Sequence, residues 1–114
     1  MGRATHRVRA CSLQELPPGT ARKLRIAFPA IAIFNLDGTV YAVEDLCTHA
    51  FALLSEGRVE GTSVRCPLHR SQFDVRTGEP LCGPATESLR TYEVEVIAGE
   101  VIVHIETSLF GTSA

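Results

Sequence analysis

The chain has 114 residues, of which 45% are hydrophobic and 21% charged, and its formal net charge is -2. This length fits one folded domain over residues 1–114, and the composition is that of a globular protein, which excludes extensive disorder. Acidic and basic residues are interspersed, so nucleic acid is excluded as the main partner, because binding its backbone needs a concentrated basic face. A protein partner that recognises local charge patches remains compatible.

The N-terminal residues predict no export signal. Residues 2–9 are basic, and the apolar segment that a secretory signal requires does not follow them. The longest apolar stretch, around residues 28–34, is far shorter than the ~20 residues that span a bilayer. We therefore expect a cytoplasmic protein without membrane contact. In that reducing compartment its four cysteines are read first as metal ligands or buried thiols, and only then as disulfides.

The predicted elements are short and separated by turns. Residues 12–16 favour a short helical turn that Pro17 ends. Leu24, Ile26 and Phe28 alternate with polar or small residues, the period of a half-buried strand. Residues 31–34 and 40–43 flank an Asp-Gly turn, which predicts a hairpin because this dipeptide accepts positive φ at little cost.

Two further hairpins are predicted downstream. The first joins residues 58–59 to residues 63–65, and the second joins residues 92–96 to residues 101–105. No segment has a helical period over three turns, and turn signals recur at short intervals, which favours an all-β domain. Residues 44–54 and 66–72 resist a strand interpretation and are predicted as loops.

Each of these two loops contains a cysteine and a histidine. The first reads Cys47-Thr48-His49 and the second Cys66-Pro67-Leu68-His69, and the hairpin of residues 58–65 can bring them side by side. Two soft thiolates suit a ferric iron bridged by sulfide, and two neutral imidazoles suit a second iron. The spacing therefore favours one [2Fe–2S] cluster.

A structural zinc site with the same four ligands is the alternative interpretation. Zinc modules usually pair two cysteines or two histidines a few residues apart, whereas each pair in this chain is mixed. A zinc-stabilised binding module without redox activity thus stays as an alternative function.

The stretch CTHAFALLSEG, followed by CPLHRSQFDVRTGEPLCGPATESLRTYEV, closely resembles the Rieske ferredoxins of bacterial aromatic-ring dioxygenase systems. The resemblance extends over about residues 40–105. It implies three small antiparallel sheets with the cluster bound by two loops at one tip, in a cluster-binding subdomain of about residues 44–84. It also implies that Cys47 and Cys66 bind the inner iron and that His49 and His69 bind the outer iron through Nδ1.

The resemblance also implies the surroundings of the cluster. High-potential Rieske proteins place a Ser and a Tyr hydroxyl near the cluster sulfurs, and here Ser71 matches the Ser whereas Phe73 replaces the Tyr. One hydrogen-bond donor is thereby lost. Pro84 matches a proline-containing loop that covers one side of the cluster. We expect a reduction potential in the lower half of the Rieske range of about −150 to +300 mV.

The function implied by the resemblance is that of a one-electron carrier. It would be the ferredoxin component that passes electrons from an NAD(P)H-dependent flavoprotein reductase to a terminal ring-hydroxylating dioxygenase, without turnover of its own. The sequence agrees, because no Gly-rich dinucleotide motif is present and only His6 and His104 remain outside the predicted ligands. A Rieske-like small subunit of an assimilatory nitrite reductase is the second interpretation.

Partner docking and the remaining candidates complete the expectations. Four residues at the predicted tip are candidates for transient docking, three as an apolar rim and Arg70 as a contact to an acidic partner patch: Ala50, Phe51, Leu68 and Arg70. We expect a monomer. The other expectations are buried thiols at Cys11 and Cys82, a frayed terminus at His6 and a solvent-exposed His104.

Overall fold

The computed structural model describes residues 5–25, 30–46, 52–67, 71–82 and 87–106, which form three antiparallel sheets. The first sheet has the strand order β1 (Thr5–Ser12), β11 (Glu100–Glu106), β10 (Val94–Ile97). The second has the order β2 (Ala21–Leu24), β3 (Ile31–Leu36), β4 (Thr39–Glu44), β9 (Thr91–Tyr92). The third has the order β5 (Arg58–Glu60), β6 (Ser63–Arg65), β7 (Gln72–Asp74), β8 (Pro80–Cys82). The predicted all-β fold with three small sheets is confirmed.

Two 3₁₀ turns, Leu13–Glu15 and Leu54–Glu56, are the helical elements of the described residues. The first confirms the helical turn predicted before Pro17. Its start is fixed because the carboxylate of Glu15 accepts the backbone N–H of Ser12 at 2.9 Å. None of the described helical segments has the length and apolar character needed to cross a membrane.

Strand β3 lies between two hydrophobic cores, and all six of its residues are buried. Ala32, Phe34 and Leu36 belong to the core shared with the third sheet, which we call the proximal core. Ile31 and Ile33 belong to the core shared with the first sheet, which we call the distal core. Successive side chains of a strand point to opposite faces, so a strand covered on both faces is apolar nearly throughout.

The β3–β4 turn adopts the predicted geometry. Asp37 and Gly38 have φ angles of 55° and 97°, the pair of positive values that a two-residue hairpin turn requires. The buried Asn35 side chain secures the turn, since its Oδ1 accepts the N–H of Gly38 at 2.8 Å. Its Nδ2 also donates to the carbonyl oxygen of Leu16 at 2.7 Å. The turn and the chain that precedes β2 are therefore fixed together.

The strand predicted over residues 92–96 is in fact two strands in different sheets. Tyr92 of β9 pairs with Ala42 of β4 in the second sheet, whereas Val94 of β10 pairs with Val103 of β11 in the first. The alternation of apolar residues continues across the crossing, so periodicity alone does not reveal it. The two later hairpins, β5–β6 and β10–β11, are confirmed.

Two histidine predictions are wrong. His6 does not lie in a frayed end, because it is part of β1 and lies opposite Ile105 of β11. His104 does share the face opposite Val103, as its position predicts, but only 18% of its side chain is exposed. The neighbouring strands cover it: Arg7 lies opposite it on β1, and Glu95 of β10 is 3.4 Å from its Nε2.

Candidate metal centre

Of the four predicted ligands, Cys66 lies in the part of the chain that the structure describes. Ser71 and Phe73 also lie in that part. The remaining predicted site residues lie outside it: Cys47, His49, Ala50, Phe51, Leu68, His69, Arg70 and Pro84. Within the described ranges, no group of three or more His, Cys, Asp or Glu side chains is close enough to hold a metal. The described parts of the candidate centre are Cys66 and the residues that flank the two predicted ligand segments.

Cys66 directly follows β6 and is buried, with 2% of its surface exposed. It packs in the proximal core with Val64 and Phe73. Neither Cys66 nor Cys11, the two cysteines whose side chains are described, forms a disulfide. Cys11 is buried in the distal core, as predicted, on the other side of β3. Cys66 is thus a free thiol at the end of a strand, with a chemistry that fits an iron ligand.

A backbone hydrogen bond closes the segment that contains His69. The N–H of Cys66 donates to the carbonyl oxygen of Ser71 at 2.7 Å, and the flanking Arg65 and Gln72 are register partners in β6 and β7. The predicted loop is therefore the connection of a hairpin, with its two ends fixed side by side. This closure holds the two ends of the segment together before any metal binds.

Ser71 and Phe73, the predicted cluster environment, are both fully buried. Ser71 contacts the backbone of Cys66, and Phe73 lies opposite Val64 in the β6–β7 ladder. Cys66 is consequently flanked by buried residues in the β6–β7 hairpin. A dry, apolar surrounding controls solvent access to a metal centre and so tunes its potential.

Asp45 is a residue that the sequence reasoning missed. It lies two positions before Cys47 and is 1% exposed. Its Oδ1 accepts the backbone N–H of Ser55 at 2.7 Å, and its Oδ2 accepts the Ser55 hydroxyl at 2.6 Å. An Asp and a Ser ten residues apart form no recognisable motif, so only the fold reveals the contact.

Gly57, which ends the Leu54–Glu56 turn, is also informative. A Cβ atom at this position would overlap the carbonyl oxygen of Arg65, the residue that precedes Cys66. The turn and the end of β6 are therefore in direct backbone contact. Next to this contact lies a surface cleft of about 580 Å³, lined by Glu56, Gly57, Arg58, Arg65, Cys66 and Pro67.

The charges around the third sheet largely compensate one another. Arg65 forms an ion pair with Glu60 at 3.2 Å, and its hydrogen bonds hold the pKa of Glu60 below the usual range. Arg76 contacts Asp74 at 2.9 Å and lowers the pKa of Asp74 in the same way. Neither sign of charge dominates this surface.

Comparison with known proteins shows the family of the chain. The sequence profile of the Rieske [2Fe–2S] domain matches residues 6–93. The chain belongs to this family. It therefore binds a [2Fe–2S] cluster, as the Cys–His spacing predicts, and the zinc-stabilised module is excluded.

Close relatives are ferredoxins. The chain is 46% identical over 96 residues to the 3-phenylpropionate/cinnamic acid dioxygenase ferredoxin subunit of Photorhabdus laumondii, covering 83% of this chain and 90% of that one. It is 40% identical to a chain in a complex of reduced oxygenase and oxidised ferredoxin of carbazole 1,9a-dioxygenase, with a TM-score of 0.82 and coverage of 85% and 91%. A structure assigned as an NADH-dependent nitrite reductase small subunit from Mycobacterium tuberculosis is 26% identical, with a TM-score of 0.78 and coverage of 89% and 96%.

Phe73 offers a direct test of the predicted cluster environment. We predict that Phe73→Tyr raises the reduction potential, because the added hydroxyl can donate a hydrogen bond that favours the more negative, reduced cluster. A net gain of about 1 kcal/mol for the reduced form corresponds to roughly 40 mV in a one-electron couple. The measurement is a spectroscopic redox titration of both proteins.

The contrary outcome is equally specific. If position 73 is remote from the cluster sulfurs, the hydroxyl added by Phe73→Tyr is buried without a partner in the proximal core. The variant would then lose about 1–3 kcal/mol of stability, and its potential would equal that of the wild type.

Proposed function

We propose that this electron carrier is the ferredoxin component of a ring-hydroxylating dioxygenase system. It accepts single electrons from an NAD(P)H-dependent flavoprotein reductase and delivers them to a terminal oxygenase. The 46% identity to a dioxygenase ferredoxin subunit, over most of both chains, is the observation that carries this proposal. We place the protein in the cytoplasm as a monomer, with residues 1–114 forming one Rieske domain.

We assign the four ligands as Cys47, His49, Cys66 and His69, within a cluster-binding subdomain of about residues 44–84. When bound, the cluster takes up and releases one electron. The two imidazoles add no charge to the centre, whereas two further thiolates would make it more negative, so this ligand set favours reduction at a higher potential. The free, buried Cys66 supports the assignment.

The chain itself contributes a rigid and dry support. Cys66 and Ser71 are held together through a backbone hydrogen bond at 2.7 Å, and both are buried. These buried residues limit the access of water to this side of the centre. When the cluster gains or loses one electron, the change in its charge is therefore stabilised by fixed protein groups. Such a site suits repeated electron transfer without rearrangement.

We propose that the partners dock at the tip of the two ligand segments. Ala50, Phe51 and Leu68 would supply an apolar rim, and Arg70 would face an acidic patch on the partner. Brief docking of this kind relies on charge complementarity, which raises the association rate more than the affinity.

Arg70→Glu tests this docking face. We predict that it slows electron delivery to the oxygenase by up to about tenfold at low salt, because repulsion reduces productive encounters. The visible spectrum is expected to stay unchanged, since the residue is not a ligand. Stopped-flow oxidation of the reduced ferredoxin by the oxygenase measures the rate.

A matched charge reversal is available on the first sheet. Arg7→Glu changes the net charge equally, and it breaks an exposed ion pair with Glu95 at 2.8 Å, of a kind that contributes little to stability. Equal rates for both variants at low salt would contradict the proposed docking face.

The function itself is tested by reconstituted turnover. Purified reductase and oxygenase should hydroxylate an aromatic substrate at the expense of NAD(P)H only when this chain is added. Iron and acid-labile sulfide in equal amounts confirm that the chain is loaded. If a loaded chain supports no turnover with any candidate pair, the dioxygenase assignment fails.

The nitrite reductase subunit is the second candidate, and the 26%-identical structure supports it more weakly than the ferredoxins support the first. A permanent subunit should co-purify with its large partner. Gel filtration of the protein from its native host therefore separates the two: a shuttle elutes alone, at the size of a 12.4 kDa chain.

A further inference from the structure

The Leu54–Glu56 turn lies between the two predicted ligand segments and touches the flank of each. On one side, Ser55 is bound by both carboxylate oxygens of Asp45, two residues before Cys47. On the other side, the backbone of Gly57 lies against the carbonyl of Arg65, one residue before Cys66. One short turn thus connects the chain before the first cysteine to the chain before the second.

Asp45 is itself anchored to the scaffold. Its backbone N–H donates to the carbonyl oxygen of Ala30 at 2.7 Å, and Ala30 immediately precedes β3, the strand between the two cores. Neither Asp45 nor the Leu54 side chain of the turn is exposed to solvent, with relative exposures of 1% and 0%. The connection is therefore anchored by two buried side chains and tied to β3, whose six residues are all buried.

The chemistry of the contact is that of a positioning clamp. Two hydrogen bonds to one carboxylate, at 2.7 and 2.6 Å, are short and directional. They join residues ten positions apart, and the segment between them contains Cys47 and His49. Fixing both ends of a segment restricts the positions that its interior residues can occupy.

We propose that Asp45 is a positioning residue for the cluster: through Ser55 and the Leu54–Glu56 turn, it fixes the Cys47–His49 pair relative to Cys66. The inference rests on the proposed ligand set. It adds to that set a residue that touches neither iron nor sulfide and acts only through the turn.

The test compares four variants with loaded wild-type protein. Asp45→Ala removes both hydrogen bonds, and Ser55→Ala removes only the hydroxyl bond, so the second variant decides if the first fails to fold. Ser55→Thr keeps the N–H and the hydroxyl and should restore wild-type behaviour. Asn35→Ala is the control, because it also removes two side-chain hydrogen bonds of a buried residue, to Leu16 and Gly38, but at the β3–β4 turn.

Two readouts distinguish positioning from stability. The first is the rate of loss of visible absorbance in excess chelator, which we expect to rise about 10- to 100-fold for Asp45→Ala, the range for partners that support metal ligands. The second is the electron paramagnetic resonance spectrum of the reduced protein, which should change in Asp45→Ala and Ser55→Ala but not in Ser55→Thr or Asn35→Ala.

The outcomes separate this inference from the function on which it depends. If Asp45→Ala and Ser55→Ala lose absorbance no faster than Asn35→Ala at matched thermal stability, with unchanged spectra, the inference is overturned. If the wild type itself gives no Rieske spectrum after reduction, the ligand set fails, and the inference fails with it. A spectrum that changes in Ser55→Ala but stays as in the wild type in Ser55→Thr supports the inference.

Discussion

Cys66→Ser is expected to yield a colourless protein that melts at a lower temperature than the wild type. The serine oxygen is a poor ligand for this iron, so the cluster is not retained, and both visible absorbance and paramagnetic signal disappear. Stability falls as well, because the binding free energy of a metal centre that ties loops together is also folding free energy. Absorbance spectra, electron paramagnetic resonance spectra and a thermal melt followed by circular dichroism measure the three losses.

Cys11→Ser is the matched control for this result. Cys11 is a free, buried cysteine like Cys66, but it belongs to the distal core with Val101 and Val103. Its replacement buries a hydroxyl at a cost of about 1–3 kcal/mol while leaving the colour intact. A brown Cys66→Ser protein, or a colourless Cys11→Ser protein, would contradict the ligand assignment.

We expect Gly78→Ala to destabilise the protein by about 2–4 kcal/mol, because two separate costs add. Gly78 has a φ of 83°, which an alanine adopts only with strain. A Cβ atom would also overlap the carbonyl oxygen of Leu89, a buried residue of the proximal core. Urea unfolding followed by circular dichroism measures the loss of free energy.

The position of Gly78 makes this effect relevant to the cluster. Its N–H donates to the carbonyl of Asp74 at 2.7 Å, and its own carbonyl accepts the N–H of Leu89 at 2.8 Å. It thereby ties the β7–β8 turn to the chain that follows Pro84, the residue predicted to cover the cluster. We expect faster loss of the cluster in chelator to accompany the loss of stability.

Gly61→Ala separates the two costs. Gly61 has a φ of 63°, and its added Cβ would have no atom within 4 Å. This variant should lose only about 1–2 kcal/mol, the cost of the left-handed backbone alone. Equal losses in Gly61→Ala and Gly78→Ala would show that the contact with Leu89 has no energetic weight.

The parts of the fold that sequence predicts are those with local causes. The β3–β4 turn follows from the Asp37-Gly38 pair, and the β5–β6 and β10–β11 hairpins follow from the turn signals between their strands. Strand β1 was missed because its partner, β11, is at the other end of the chain. Pairing over such a distance leaves no local pattern in the residues of β1.

The candidate centre shows the same division. The candidate ligands can be proposed from the sequence because metal chemistry demands cysteine and histidine, and their spacing is read directly. Ser71 and Phe73 are predictable only through the family resemblance. Asp45 is not predictable, because its significance lies in a contact with Ser55 that exists only after the second and third sheets come together.

Strand β3 separates the proximal core from the distal core and contributes side chains to both. Because its alternate side chains face separate cores, disorder in the proximal core, which contains Cys66, need not extend to the distal core, which contains Val103. A chain that loses its iron would then keep a folded half, ready to receive a new cluster without refolding from the beginning.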